Sequence, residues 1–186
     1  MSVVGVVLAL EEKVGAALTC LMLSGLFDML DGTVAAHTER SAEARKFGIQ
    51  IDSLCDIFCF CVFPALLCYQ LGATSWWSVA AMSLLIVCGI IRLGYFNVQE
   101  ELRQQQTTEK RKSYQGLPVT STSLIFPLAL LILDRFPLPY GIALPVLMTA
   151  VACAFVLDIP VVKPQGKGKL LLVAAGVVLF LGLIFS

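Results

Sequence analysis

The sequence predicts an all-α protein, a polytopic transmembrane helical bundle with about six full spans and a truncated N-terminal helix. Two observations support this fold class. First, 58% of the 186 residues are hydrophobic and only 14% are charged, with a mean hydropathy of +0.87, whereas soluble domains carry about a quarter charged residues. Second, apolar runs near membrane-spanning length recur along the chain. We therefore expect residues 1–186 to form a single membrane-embedded domain.

The apolar runs predict six spans, at 14–36, 45–71, 75–98, 117–133, 139–157 and 169–185. Residues 2–10 are also apolar, but nine helical residues rise only about 14 Å against a hydrocarbon core of about 30 Å. No basic residue precedes this run and two glutamates follow it, a pattern that does not fit a signal peptide. We expect residues 1–12 to be the remnant of a spanning helix whose first half lies outside this chain.

The charged residues predict the orientation of the bundle. Loops 37–46, 99–115 and 158–169 hold ten Lys and Arg residues, and the opposite side holds only Lys13 and Arg135. Basic loops stay in the cytoplasm, so these three loops are expected on the cytoplasmic side of the cytoplasmic membrane. The 99–115 loop is expected to be a solvated or interfacial helix near anionic headgroups, and one short basic run is no support for nucleic-acid binding.

All seven cysteines lie inside predicted spans: Cys20, Cys55, Cys59, Cys61, Cys68, Cys88 and Cys153. None belongs to a CxxC pair of the soluble kind, so a disulfide framework is not indicated. Two of them, Cys55 and Cys59, are helical neighbours with the spacing of a soft-metal site. Free cysteine usually behaves as a small buried hydrophobe, so the cysteines are interpreted as packing residues.

Four aspartates at the ends of two consecutive spans form the most informative feature: Asp28, Asp31, Asp52 and Asp56. Within each pair the spacing is three or four residues, which places both carboxylates on one helix face. An antiparallel helix pair over 14–71 brings all four to a similar depth. Unpaired carboxylates in a membrane cost several kcal/mol each, and no Lys or Arg lies within either cluster. Two bound Mg²⁺ or Mn²⁺ ions are the expected compensators, since they prefer oxygen ligands and bridge phosphates.

Two glycines accompany these aspartates. Gly32 follows Asp31 directly, and Gly48 precedes Asp52 by one helical turn. Glycine lets a ligand approach the backbone closely, although it also serves helix–helix packing in membranes.

The pattern D-x2-D-G-x2-A followed by G-x3-D-x3-D resembles the signature of the CDP-alcohol phosphatidyltransferases. Its positions are occupied by Asp28, Asp31, Gly32, Ala35, Gly48, Asp52 and Asp56. The resemblance implies that Asp28, Asp31 and Asp52 bind the divalent ions that hold a CDP-lipid pyrophosphate. It implies that Asp56 contacts metal and acts as general base, and that Gly32, Ala35 and Gly48 border the CDP-lipid. The family is commonly homodimeric.

The chain departs from the family pattern at two points. Ala36 stands where the family usually has Arg, and the spacer from Ala36 to Gly48 is longer than usual. His37 or Arg40 would be the nearby replacements for the missing cation, although the single histidine is better interpreted as an ordinary interfacial residue.

Further segments resemble the bacterial phosphatidylserine synthase branch of the family, namely IIRLGYFNV at 90–98, YQGLPVTSTS at 114–123 and the stretch that begins DSLCDIF at 52. This resemblance implies that CDP-diacylglycerol and L-serine are the substrates, with membrane lipids around the protein. Arg92 and Asn97 are then candidates for binding the acceptor or phosphate, because Arg binds such groups with a planar fork. The alternative for Arg92 is snorkelling to the interface.

Three other functions remain open at the level of sequence. A sister transferase would use glycerol 3-phosphate or inositol phosphate as the acceptor. A divalent-cation transporter would line an ion path with carboxylates, but the four aspartates cluster on one side of the membrane instead of spanning it. An inactive homologue would be consistent with Ala36 and the short first helix.

Overall fold

The computed structural model describes residues 1–36, 41–106, 113–136, 138–158 and 160–162, together with Gly176, Phe180 and Gly182, which are helical. The regular structure of the described residues is helical apart from one short strand pair. In order, the elements are α1 (Ser2–Leu10), α2 (Val14–Ala36), α3 (Ala42–Ile57), a π-helical segment (Phe58–Val62), α4 (Phe63–Gln70), α5 (Trp76–Gln106), β1 (Ser113–Gln115), a 3₁₀ turn (Val119–Ser121), α6 (Thr122–Leu133), α7 (Tyr140–Val156) and β2 (Pro160–Val162). The strands pair antiparallel, with Ser113 opposite Val162.

Among the described residues, three helical stretches are long and apolar enough to cross a membrane, as expected for a membrane protein. They are Val14–Asp31, Glu43–Gln70 and Trp76–Arg103, and they coincide with the first three predicted spans. The predicted spans at 117–133 and 139–157 correspond to shorter apolar helices. The predicted span at 169–185 lies outside the described residues except for three single positions.

Helix α5 extends further than the sequence predicted. It runs to Gln106, so residues 99–106 of the expected cytoplasmic loop are continuous with the third spanning helix. Residues 99–106 are rich in Gln and Glu, which are good helix formers. Arg103 also donates to Glu100 across one turn, with Nη2 2.6 Å from Oε1. The expectation of a helix in this loop is therefore correct for its first half.

The π-helical segment makes α3 and α4 one continuous helix with an extra residue in the middle. Its defining hydrogen bond runs from the backbone N–H of Phe63 to the carbonyl of Phe58. Pro64 follows immediately. Proline has no N–H, and its ring collides with the carbonyl four residues earlier in a regular α-helix. A wider turn before Pro64 removes that collision, which gives the segment a physical cause.

The core is built from aromatic side chains of several helices. Helices also cross at short distance where one of them has a glycine. Phe60, Phe63, Phe126 and Phe155 are fully buried. Where α2 crosses α6, a Cβ on Gly25 would overlap the side chain of Ser123. Small residues at such crossings let the backbones approach, which is how helices associate in membranes without a hydrophobic driving force.

Candidate active site

Helices α2 and α3 bring three carboxylates together. Asp28, Asp52 and Asp56 each offer one carboxylate oxygen, and these oxygens all lie within 4.8 Å of one another. Asp28 and Asp56 are half-buried, and Asp52 is exposed. The start of α3 is fixed by Ser41, whose side chain accepts from the backbone N–H of Ala44 at 3.2 Å. The sequence predicted that these carboxylates converge, and in the structure they do.

Asp31 lies beside this trio. All four aspartates line one cavity with a volume of about 170 Å³, together with seven other residues. Within the described part of the chain, no Lys or Arg pairs with any of the four; the ion pairs there are Lys13–Glu11, Lys46–Glu101 and Arg103–Glu100. Three close carboxylates without a protein cation are costly unless a cation joins them. Their oxygen ligands suit a hard divalent ion such as Mg²⁺ or Mn²⁺.

Several cavity residues were missed by the sequence interpretation. Ser2 of α1 and Ser24 of α2 both line the cavity, and their hydroxyls lie 2.9 Å apart. Cys55 and Cys59 also line it, with Cys55 exposed. The sequence interpretation treated them as packing residues. The available signal was their spacing, because Cys55 is three residues from Asp52 and Cys59 is three residues from Asp56, which places each near the face of its aspartate. All seven cysteines are free thiols, as the sequence indicated.

The small residues of the motif are placed next to the acidic trio along the chain. Gly32 and Ala35 belong to the last turns of α2, and Gly48 is half-buried in α3, one turn before Asp52. Their contact with a CDP-lipid stays a prediction. His37 and Arg40, the candidates to replace the missing cation at Ala36, lie outside the described residues.

Arg92 lies inside the protein, away from the acidic cavity. Its side chain is buried, with Nε donating to the carbonyl of Leu117 at 3.1 Å and Nη2 to that of Gly116 at 3.5 Å. Its guanidinium also lies over the ring of Phe96, 5.6 Å from the centroid. Gly116 has φ +74°, a conformation that favours glycine. Arg92 therefore ties α5 to the segment that precedes α6, and its binding of acceptor or phosphate stays a prediction.

Asn97 also lies outside the cavity lining. Its Nδ2 donates to Ser53 Oγ at 2.8 Å. Ser53 is the neighbour of Asp52 on α3, so Asn97 contacts the helix that carries two of the carboxylates without facing the cavity itself.

Comparison with known proteins agrees with this site. Residues 1–159 match the CDP-alcohol phosphatidyltransferase family. A CDP-diacylglycerol–serine O-phosphatidyltransferase of Saccharomyces cerevisiae is 35% identical over 129 residues, 66% of this chain and 45% of that protein. An archaetidylserine synthase of Methanothermobacter thermautotrophicus is 35% identical over 115 residues, 61% of this chain and 46% of that protein. A CDP-diacylglycerol–serine O-phosphatidyltransferase of Helicobacter pylori is 30% identical over 118 residues, 62% and 46% of the two chains.

The chain spans a little under half the length of these curated relatives. The family match covers most of the chain, including both helices that carry the aspartates. The resemblance inferred from the aspartate motif is thereby confirmed: this chain belongs to the CDP-alcohol phosphatidyltransferase family.

Proposed function

We propose that this protein is a phosphatidylserine synthase, which transfers a phosphatidyl group from CDP-diacylglycerol to the hydroxyl of L-serine. The observation that carries the proposal is the trio of carboxylates within 4.8 Å of one another, contributed by the family motif. The choice of serine is supported by relatives whose names specify a serine or archaetidylserine product. The products would be phosphatidylserine and CMP.

The four aspartates have different roles in the proposed reaction. Two divalent ions held by Asp28, Asp31, Asp52 and Asp56 would neutralise the pyrophosphate charge that grows as the bond to CMP breaks. Asp56 takes the proton from the serine hydroxyl, and the serine oxygen forms a bond to the phosphorus attached to the lipid. The bond between that phosphorus and the CMP oxygen breaks, and CMP leaves with the electron pair. Fixed positions for both substrates supply much of the acceleration.

The half-buried position of Asp56 suits a general base. Its carboxylate is one helical turn deeper along α3 than that of Asp52, and it is less exposed. A base must lie within hydrogen-bond reach of the hydroxyl that it deprotonates. The 170 Å³ cavity has room for a small polar acceptor beside the carboxylates.

The lipid substrate enters from the membrane in this proposal. Its acyl chains stay among the apolar helices, and the pyrophosphate lies near Gly32, Ala35 and Gly48, where side chains are small. We propose six spans, with the aspartates open to the cytoplasm, on the basis of the basic residues in loops 37–46, 99–115 and 158–169. A homodimer is proposed from the family resemblance, and light scattering in detergent would test it.

The test is an assay of acceptor use. Purified protein is incubated with CDP-diacylglycerol, Mn²⁺ or Mg²⁺, and one of L-serine, glycerol 3-phosphate or inositol phosphate. CMP release is measured and the lipid product is identified by mass spectrometry. We expect phosphatidylserine with serine only. A product with another acceptor would identify a sister transferase. Failure to release CMP with any of the three acceptors would support an inactive homologue.

A further inference from the structure

Helix α3, which carries Asp52 and Asp56, packs antiparallel against α5 along a single stripe. At one end Lys46 Nζ lies 3.0 Å from Glu101 Oε1. In the middle Asn97 donates to Ser53. At the other end Gly89 makes room for Ile57 and Cys61, whose atoms would lie 3.5 and 2.5 Å from a Cβ added there.

The middle contact lies between the two carboxylates along α3. Ser53 follows Asp52 and precedes Asp56 by three residues. At about 100° per residue, its side chain points about 60° away from that of Asp56 around the helix axis. The face of α3 that contacts α5 is therefore next to the face that carries the two aspartates. A rotation of α3 that broke the contact would turn both carboxylates relative to Asp28 on α2.

The hydrogen bonding of Ser53 is directional. Its hydroxyl donates to the backbone carbonyl of Ile49 at 3.0 Å, which leaves Oγ to accept from the Asn97 amide at 2.8 Å. Asn97 is half-buried and is the only asparagine in the sequence. The ion pair at the end of the stripe is different in kind, because Lys46 and Glu101 are 74% and 57% exposed, and exposed pairs fix geometry weakly.

We propose that Asn97 is a positioning residue for the acidic site: through Ser53 it sets the rotation of α3, and so holds Asp52 and Asp56 against Asp28 for a divalent ion. The importance of Asn97 for catalysis rests on the proposed function. Its effect on the binding of a divalent ion can be tested without it. It differs from the assignment of Asn97 to acceptor binding, which would require its amide to face the cavity.

The test measures Mn²⁺ affinity separately from serine use. Mn²⁺ binding is titrated by electron paramagnetic resonance on the detergent-purified full chain, and the KM for serine is measured at saturating Mn²⁺. We expect Asn97→Ala and Ser53→Ala each to weaken Mn²⁺ binding by about three- to fifteen-fold, as for loss of one interhelical hydrogen bond in a membrane protein. The double variant should be no weaker than the worse single variant. Ser53→Thr, which keeps the hydroxyl, should bind Mn²⁺ as the wild type does.

Two control variants remove comparable groups elsewhere. Ser83→Ala on α5 deletes a hydroxyl that bonds only to Val79 of its own helix, and Gln70→Ala deletes an exposed amide at the end of α4. Both should leave Mn²⁺ affinity unchanged. Unchanged Mn²⁺ affinity in Asn97→Ala would overturn the proposal, and so would a raised serine KM in Asn97→Ala but not in Ser53→Ala. Wild-type protein that binds Mn²⁺ but releases no CMP would refute the proposed function. The role of Asn97 would then be decided by the Mn²⁺ affinities of the variants alone.

Discussion

Neutralising Asp56 should make the protein more stable and inactive at the same time. Asp56 belongs to a group of three carboxylates, with Asp28 and Asp52, whose oxygens lie within 4.8 Å of one another. Each pair of full charges at that separation repels by about 3–4 kcal/mol at an effective dielectric constant of about 20. Asn has nearly the shape of Asp and no charge. At a pH at which all three carboxylates are ionised, Asp56→Asn therefore removes two of the three repulsive pairs while keeping the volume filled.

The stability gain should be smaller than the full repulsion. Asp52 is exposed, so solvent and salt screen its share. We expect a net gain of about 1–2 kcal/mol for the metal-free protein. At about 2–4 °C per kcal/mol, the unfolding midpoint in detergent rises by about 2–8 °C. Bound Mn²⁺ should stabilise the native wild-type protein by mass action, and it should stabilise the variant less because one proposed ligand is gone.

The activity should change in the opposite direction. Loss of a general base costs about 10²–10⁴-fold in rate, so CMP release from CDP-diacylglycerol and serine should fall by at least about a hundredfold. Asp158→Asn is the matched control, because Asp158 is exposed and outside the cavity. It should change neither the midpoint nor the rate.

Thermal unfolding with and without Mn²⁺, and CMP release at saturating serine, are measured on the same three preparations. Asp56→Asn protein that unfolds at a lower temperature without metal would refute the electrostatic reasoning. Activity within tenfold of wild type would refute the role of Asp56 as base.

Three further predictions concern helix packing, the metal requirement and Arg92. Gly25→Ala should lower the unfolding temperature, because the added Cβ would overlap Ser123. In the control Gly94→Ala the added Cβ meets no atom within 4 Å, so the unfolding temperature should stay unchanged or rise. Differential scanning fluorimetry compares the two variants. Chelation by EDTA should abolish CMP release and lower the unfolding temperature, and Mn²⁺ or Mg²⁺ but not Na⁺ should restore both; persistence of full activity in EDTA would contradict the metal requirement. Arg92→Lys should destabilise the protein by about 1–3 kcal/mol, because an ammonium group lacks the fork that reaches Leu117 and Gly116 together; a raised serine KM with unchanged stability would instead favour acceptor binding.

The sequence was most informative where one physical pattern dominated. Helix α2 was predicted at 14–36 and is observed at Val14–Ala36, because a long apolar run bounded by charged residues at one end leaves little choice. The convergence of Asp28, Asp52 and Asp56 followed from helical spacing and an antiparallel turn. The third span was predicted to end at 98, where hydropathy falls, whereas α5 continues to Gln106 because the polar residues that follow are good helix formers.

Other features depend on contacts between distant segments. Pairing of β1 with β2 joins residues more than 40 positions apart, and neither three-residue strand has a recognisable pattern of its own. The cavity role of Ser2 depends on how α1 packs against α2, which its uniformly apolar sequence leaves open. For Arg92, phosphate binding and snorkelling were the alternatives considered, and the structure shows a third arrangement, with backbone carbonyls as partners.

The π-helical segment has a consequence for how the gene can change in length. Residues 58–62 hold one more residue than a regular turn needs. Loss of one codon there would return the segment to α-helical spacing and leave Asp56 and the buried Phe63 each facing their present neighbours, although it would restore the collision at Pro64 unless that proline is also replaced. Loss of one codon anywhere else between 42 and 70 would turn one half of the helix by about 100° against the other. Single-residue length differences among homologues should therefore concentrate at this turn.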